Sequence, residues 1–480
     1  MNPIDLARKI EERYRRYLQT TFYFKDPDLR RSFHEDFAKS GLSKGPYLEA
    51  TPVFKRGRLP KEVFREILGR DPEEAFLKAL LADRPLYWHQ EEAIRKVSKG
   101  RNVVVATGTG SGKTEAFLYP ILLHLYREYQ KNELGPGVRA LILYPMNALA
   151  NDQRQRLGEI CKRLKENGSG FHFTFGQYIG ETPEDQNDSK RDARNLLGGR
   201  EDYSIIRNGQ VVHGEQVLRS EMREAPPHIL LTNYSMLEYL LLRPDDSPLF
   251  DNGRARWWTF FVLDEAHQYR GTRGIEVAML IRRLKQRLRE GGRTGDFRCI
   301  ATSATLMGGE QDRAMVAEFA SELFGEPFTE EDVILGETEP IPEPSESRFT
   351  WDDYKIIREA LVSGGGQTAQ AIEGLAAKVG VVMQVGEDAE HTVGRLLRRD
   401  RRSWELRSSI ADGPVHVQEL ASRVFADLPE ENDRVEALSL LVELLLKAKD
   451  PETGTPLLSA RYHLFLKSLE GAFVIYVPQK

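Results

Sequence analysis

The stretch NVVVATGTGSGKT, residues 102–114, decides the fold: a run of β-branched residues ends in a glycine-rich turn, and a helical pattern begins at Lys113. Val103 to Val105 suit a strand buried on both faces. Glycines in the turn let backbone N–H groups point inward around an anion, and the helix that follows adds its positive N-terminal end. Thr107, Gly108, Thr109, Gly110, Ser111 and Gly112 therefore read as a phosphate-binding loop, with Lys113 placed for β- and γ-phosphates and Thr114 offering a hydroxyl to Mg²⁺. Thr107 stands where the strict GxxxxGK spacing has its first glycine, so the strand before the loop and the helix after it support the assignment.

Outward from this loop, short apolar runs recur, each followed by a turn and a helical pattern: 102–106, 140–144, 171–178, 229–232, 260–263 and 298–301. That alternation predicts an α/β domain with a parallel sheet flanked by helices. Three further motifs sit at or just past the ends of these runs: YPMNALANDQ (144–153), VLDEAH (262–267) and TSAT (302–305). Ligands bind at the carboxyl ends of strands in open α/β sheets, so the motifs are expected along one edge. Asp264 and Glu265 would bring two carboxylates to that edge, Asp264 to hold Mg²⁺ and Glu265 to polarise an attacking water. Val277, Leu280, Ile281, Leu284 and Leu288 form the apolar stripe of the next helix.

With 480 residues, 40% hydrophobic and 29% charged, the chain is too long for one core. Residues 1–83 read as a helical N-terminal region, 84–335 as the α/β domain with a polar insertion at about 184–227, 336–347 as a proline-rich linker, and 348–480 as a mainly helical accessory domain. Within the last, GPVHVQELASRVF (413–425) suggests a turn into a helix of helix-turn-helix type, so a winged-helix-like domain stands beside a small helical packing domain as alternatives. Arg398, Arg399, Arg401, Arg402 and Arg407 read as a solvated face rather than a phosphate site. Met1 to Leu18 carries no apolar core of a secretory signal, and no apolar run reaches the roughly 20 residues of a spanning helix. Cys161 and Cys299 lie far apart, which argues against a disulfide scaffold or zinc cluster and suggests the cytoplasm. A net charge of −5 neither supports nor excludes a polynucleotide partner.

The motif set, together with TNYSMLE (232–238) and DEAHQYRG (264–271), resembles the first RecA-like domain of superfamily 2 DEAD/DEAH-box helicases, and most of all the MrfA-type large bacterial helicases, over about Tyr87 to Leu306. The resemblance implies that Gln90 reads an adenine edge and that His267, with Ser303, Ala304 and Thr305, couples nucleotide state to a polynucleotide site. It implies that Pro145, Asn147, Thr232 and Asn233 line the path of one strand, with Gly180 and Thr182 in a further contacting loop. Such contacts position a strand without reading its sequence.

The expected function is an ATP-dependent helicase or translocase moving on a DNA or RNA strand, with DNA the stronger candidate, using ATP and Mg²⁺ and no membrane. Nothing after Leu306 resembles a second RecA-like domain, so that half is expected in cis or in trans, and slow hydrolysis by this chain alone follows. The alternatives are a non-catalytic, nucleotide-switched nucleic-acid-binding or assembly subunit, and a nucleotide-gated interaction module, in a repair or phage-defence complex.

Overall fold

The computed structural model describes residues 3–39, 42–51, 53–108, 110–185, 205–207, 210–304, 309–363, 369–382, 388–411 and 413–467. In chain order the strands are β1 (Ser43–Ala50), β2 (Val103–Ala106), β3 (Ala140–Leu143), β4 (Phe175–Tyr178), β5 (Ile205–Arg207), β6 (Gln210–Val212), β7 (Glu215–Gln216), β8 (Ile229–Thr232), β9 (Phe260–Leu263), β10 (Arg298–Ser303), β11 (Val333–Leu335), β12 (Val415–His416) and β13 (Ala460–Leu466). The chain forms two compact units, one of Phe54–Glu339 and one of Met1–Val53 with Pro340–Lys480.

The first unit is built on an eight-stranded sheet of order β11-β2-β10-β9-β3-β8-β4-β7, parallel throughout. Strand alternation divides its core in two. Val103, Val105, Ile142, Leu231, Val262 and Ile300 face one cluster, with helices that include Lys113–Gln130 and Asn147–Glu166. Val104, Leu141, Leu143, Leu230, Phe261 and Leu263 face the other, with Tyr234–Leu242, Gly271–Glu290 and Arg313–Phe324. Burial on both faces is why these strands read as unbroken apolar runs. The stripe at Val277, Leu280, Ile281, Leu284 and Leu288 is buried.

Two expectations need correction here. The polar insertion at 184–227 is in part a piece of the sheet, although 186–204, 208 and 209 lie outside the described residues. β7 extends the sheet beside β4, and buried Glu215 pairs with buried Arg154 at 2.6 Å. The 1–83 region is not one helical body either. Phe54 to Ala82 belongs to the first unit, with Val63, Phe64 and Phe76 in its core, whereas β1 is a strand of the other unit.

That second unit holds an antiparallel sheet of order β12-β1-β13 and a helical core around Leu48, Tyr354, Leu397, Leu420 and Leu441. Pro46 lies in the central strand because the register jumps between Lys44 and Tyr47, so no ladder bond is asked of the missing N–H. Val417, Leu420, Ala421 and Val424 are buried on the short helix after β12. Buried Asp400 joins the helices: it accepts from Ser403 N, Phe349 N and the Tyr354 hydroxyl at 2.9, 2.9 and 2.7 Å. The arginine cluster is not simply a solvated face. Arg402 is buried, pairs with Asp427 at 2.7 Å and lies over Phe425, while Arg398 bridges Asp450 and Glu452.

Candidate active site at the strand ends

The loop after β2 is held from three sides. Thr107 N donates to the Ser303 carbonyl at 3.1 Å, which ties the loop to β10. His89 Nε2 meets the Ser111 carbonyl at 2.8 Å, and the ring stacks on Tyr87 and stands edge-on to Phe54. Burial pushes the His89 pKa down, and the carbonyl partner assigns the proton to Nε2. Gln90 Nε2 donates to the Gly112 carbonyl at 2.8 Å while its Oε1 accepts from Tyr87 N at 2.9 Å. Gln90 is only 5% exposed, and both ends of its amide are engaged, one by the loop and one by its neighbour.

Gly110 and Gly112 take φ of 79° and 70°, the left-handed region that glycine enters without strain. Gly108 does not adopt it, and Thr109 lies outside the described residues. Gly112 caps helix Lys113–Gln130, and a Cβ there would collide with the Gln90 amide.

At the end of β9 the carboxylates face the loop. Lys113 Nζ donates to the Thr107 carbonyl at 3.1 Å and lies 3.9 Å from Glu265 Oε1. Burial lowers the Lys113 pKa, and the Glu265 and Asp264 carboxylates work against that. Burial likewise raises the Asp264 carboxyl; a hydrogen bond from the Thr302 hydroxyl opposes the rise, Glu265 adds to it and Lys113 counters it. Glu265 sits at φ 52°, a conformation that strains a non-glycine residue, and its N–H is held by Thr302 Oγ1 at 3.2 Å. His267 Nδ1 lies 3.3 Å from Glu265 Oε2 and 3.4 Å from Ser303 Oγ. β10 thus touches all three motif residues, through Thr302 on Asp264 and Glu265 and through Ser303 on His267. Ala304 ends the described part of this motif, and Thr305 lies outside it. Thr114 Oγ1 accepts from Gln153 at 3.2 Å, which brings the end of YPMNALANDQ to the loop.

The residues assigned to a strand path divide into two groups. Asn147 and Asn233 meet, Nδ2 of the second donating to Oδ1 of the first at 3.0 Å, and Asn233 also caps helix Tyr234–Leu242 through Met236 N. Pro145 is half-buried beside exposed Met146, and Gly180 is exposed. Thr232 and Thr182 are corrections: both are buried, and their hydroxyls donate to the Tyr178 and Gln177 carbonyls, locking β4 and its loop. Their side chains cannot line a surface path. Residue type alone missed Phe54 and Gln153 around the loop, and exposed Arg273, which lies over the Tyr234 ring beside Asn233.

The family model described as DEAD/DEAH box helicase matches residues 87–206 and 187–313. The chain is 28% identical to the Druantia protein DruE of Escherichia coli over 99% of this chain and 30% of DruE. It is 31% identical to the uncharacterized ATP-dependent helicase YprA of Bacillus subtilis over 52% of this chain and 26% of YprA. The chain therefore spans less than a third of these relatives' length. Among solved structures, DUF1998 helicase MrfA bound to DNA is similar at 24% identity and a TM-score of 0.42, over 83% of this chain and 43% of that one. The loop, the paired carboxylates and β10, in contact at one sheet edge, all lie within the residues that match the DEAD/DEAH box helicase model, 87–313.

Proposed function

We propose that this chain is the nucleotide-binding half of an ATP-driven motor on nucleic acid. One observation carries the reading: Lys113, Asp264 and Glu265 converge at a desolvated edge, and β10 links that edge to His267. A phosphate chain would take the inward backbone of Gly110 and Gly112, the start of helix Lys113–Gln130 and the Lys113 ammonium. Glu265 would orient the attacking water. When bound, Mg²⁺ would neutralise phosphate charge, and Thr114 and Asp264 are the residues to hold it. Their chemistry fits, since this ion asks for one or two protein oxygens plus phosphates and waters. Among the described residues no cluster of three or more His, Cys, Asp or Glu forms a protein-only cage.

Three helix starts, at Asn147, Tyr234 and Gly271, add backbone N–H donors near Asn147 and Asn233. Such donors grip phosphates without reading bases. The test is ATP hydrolysis with and without single-stranded DNA, beside Lys113→Ala and Glu265→Gln. Turnover that DNA stimulates and both substitutions abolish supports the motor. Nucleotide binding that needs Lys113, with no DNA-stimulated turnover, would mean that the nucleotide site is real and that its catalytic partner domain has to be supplied; nucleotide binding indifferent to Lys113→Ala would overturn the reading.

A further inference from the structure

The antiparallel sheet of the second unit has one face in the core and one outside. Leu48 is fully buried, and burial lifts the Tyr462 hydroxyl to about 12. The opposite face follows from the register: Tyr47 stands across from both His416 and His463, Lys44 from Phe465, and Glu49 from Arg461. The rings form one connected row. Tyr47 meets His416 edge-on at 5.3 Å and Phe465 at 6.2 Å, and the His463 and Phe465 planes lie 12° apart at 6.4 Å. Phe465 is 59% exposed. Lys44, Arg461 and Lys467 are exposed around the row, while Glu49 is engaged by His463 Nε2 at 2.7 Å.

We propose that this face, with Tyr47, His463 and Phe465 as ring surfaces and Lys44, Arg461 and Lys467 as its cationic rim, is a stacking platform for single-stranded nucleic acid. It rests on the reading that the chain engages a polynucleotide, and adds a contact outside the helicase domain. A base offers a flat π-face and its backbone an anion, and a sheet that presents aromatic rings among cations matches both. Lys44, Arg461 and Lys467 give the face its cations for a phosphate backbone, and the acid on the same face, Glu49, is held by His463. The neighbouring helix Glu431–Lys447 is unsuited to that role: it carries Glu431, Asp433, Glu436 and Glu443 against Arg434 and Lys447.

The test uses the full chain and a fluorescent oligo(dT) probe, followed by anisotropy in the absence of nucleotide. Phe465→Ala is expected to weaken binding about 5- to 150-fold, the range of one lost base stack. Phe465→Tyr should retain it. Photocrosslinking with a 4-thiothymidine oligomer, mapped by mass spectrometry, should place adducts on the peptides bearing Tyr47 and residues 461–467. Unchanged affinity in a folded Phe465→Ala chain, or adducts confined to 87–313, overturns the platform and leaves the motor reading standing. No oligomer binding by the unsubstituted chain overturns both.

Discussion

The two sheets of this protein solve opposite problems. The eight parallel strands of the first unit are covered on both faces, so their chemistry can appear only at their ends, where the chain leaves the sheet and turns. The three antiparallel strands of the second unit are covered on one face, so functional side chains can stand along the strand itself. In the first sheet, position along the strand decides function. In the second, parity does: Tyr462 goes to the core and His463 outward because they are neighbours.

The comparison can be broken at either end. Lys113→Ala removes the cation from the first sheet's edge, and hydrolysis should fall by roughly two to three orders of magnitude, the scale of losing one preorganised charge contact. Hydrogen exchange in 340–467 should be unchanged, and a spread of lost protection into that unit would show that the units do not stand alone. Gly394→Ala tests the second unit: a Cβ there meets the backbone carbonyl of Lys449, and overpacking of this kind costs about 1–3 kcal/mol. Its exchange should quicken in 389–450 and stay slow in β2, β9 and β10. Asn233→Ala deletes the cap of helix Tyr234–Leu242, for about 1 kcal/mol by chemical denaturation.

The smallest effect is a gain. Burial holds the Asp264 pKa above its usual 3.8, so the folded state binds that proton more tightly than the unfolded state does. Stability is therefore lost as pH rises through the raised value. Asp264→Asn should melt higher than the parent at pH 7 to 8 while losing hydrolysis, and the difference should shrink as pH falls towards 4. A difference that grew on acidification would reverse the assigned cause.

Much of the first unit was legible because double burial writes continuous apolar runs, and because glycine, lysine and paired carboxylates have few other reasons to stand at strand ends. The misses share a cause. Thr232 and Thr182 are polar residues in the expected places, yet whether a hydroxyl faces outward or is spent on a neighbouring carbonyl depends on which strand lies alongside. β7 is a polar pair, Glu215–Gln216, and its partner Arg154 is distant in sequence, so no periodicity marks it. β1 contains a Gly-Pro step that argues against a central strand until the register jump is seen. Arg402 looks solvated among other arginines and is buried only because Asp427 and Phe425 come round to meet it.

β1 has a consequence in time. Its partner Glu49–His463 contact spans 414 residues, with the whole of the first unit encoded between. At the ribosomal pace of about 5–20 residues per second, β1 emerges roughly 20–80 s before β13 exists to pair with it. The first unit can fold in that interval, while the N-terminal segment waits as an unpaired edge, the state in which strands find wrong partners. Lys44 and Pro46 are the residues that discourage such pairing, and they serve the nascent chain before they serve the finished sheet.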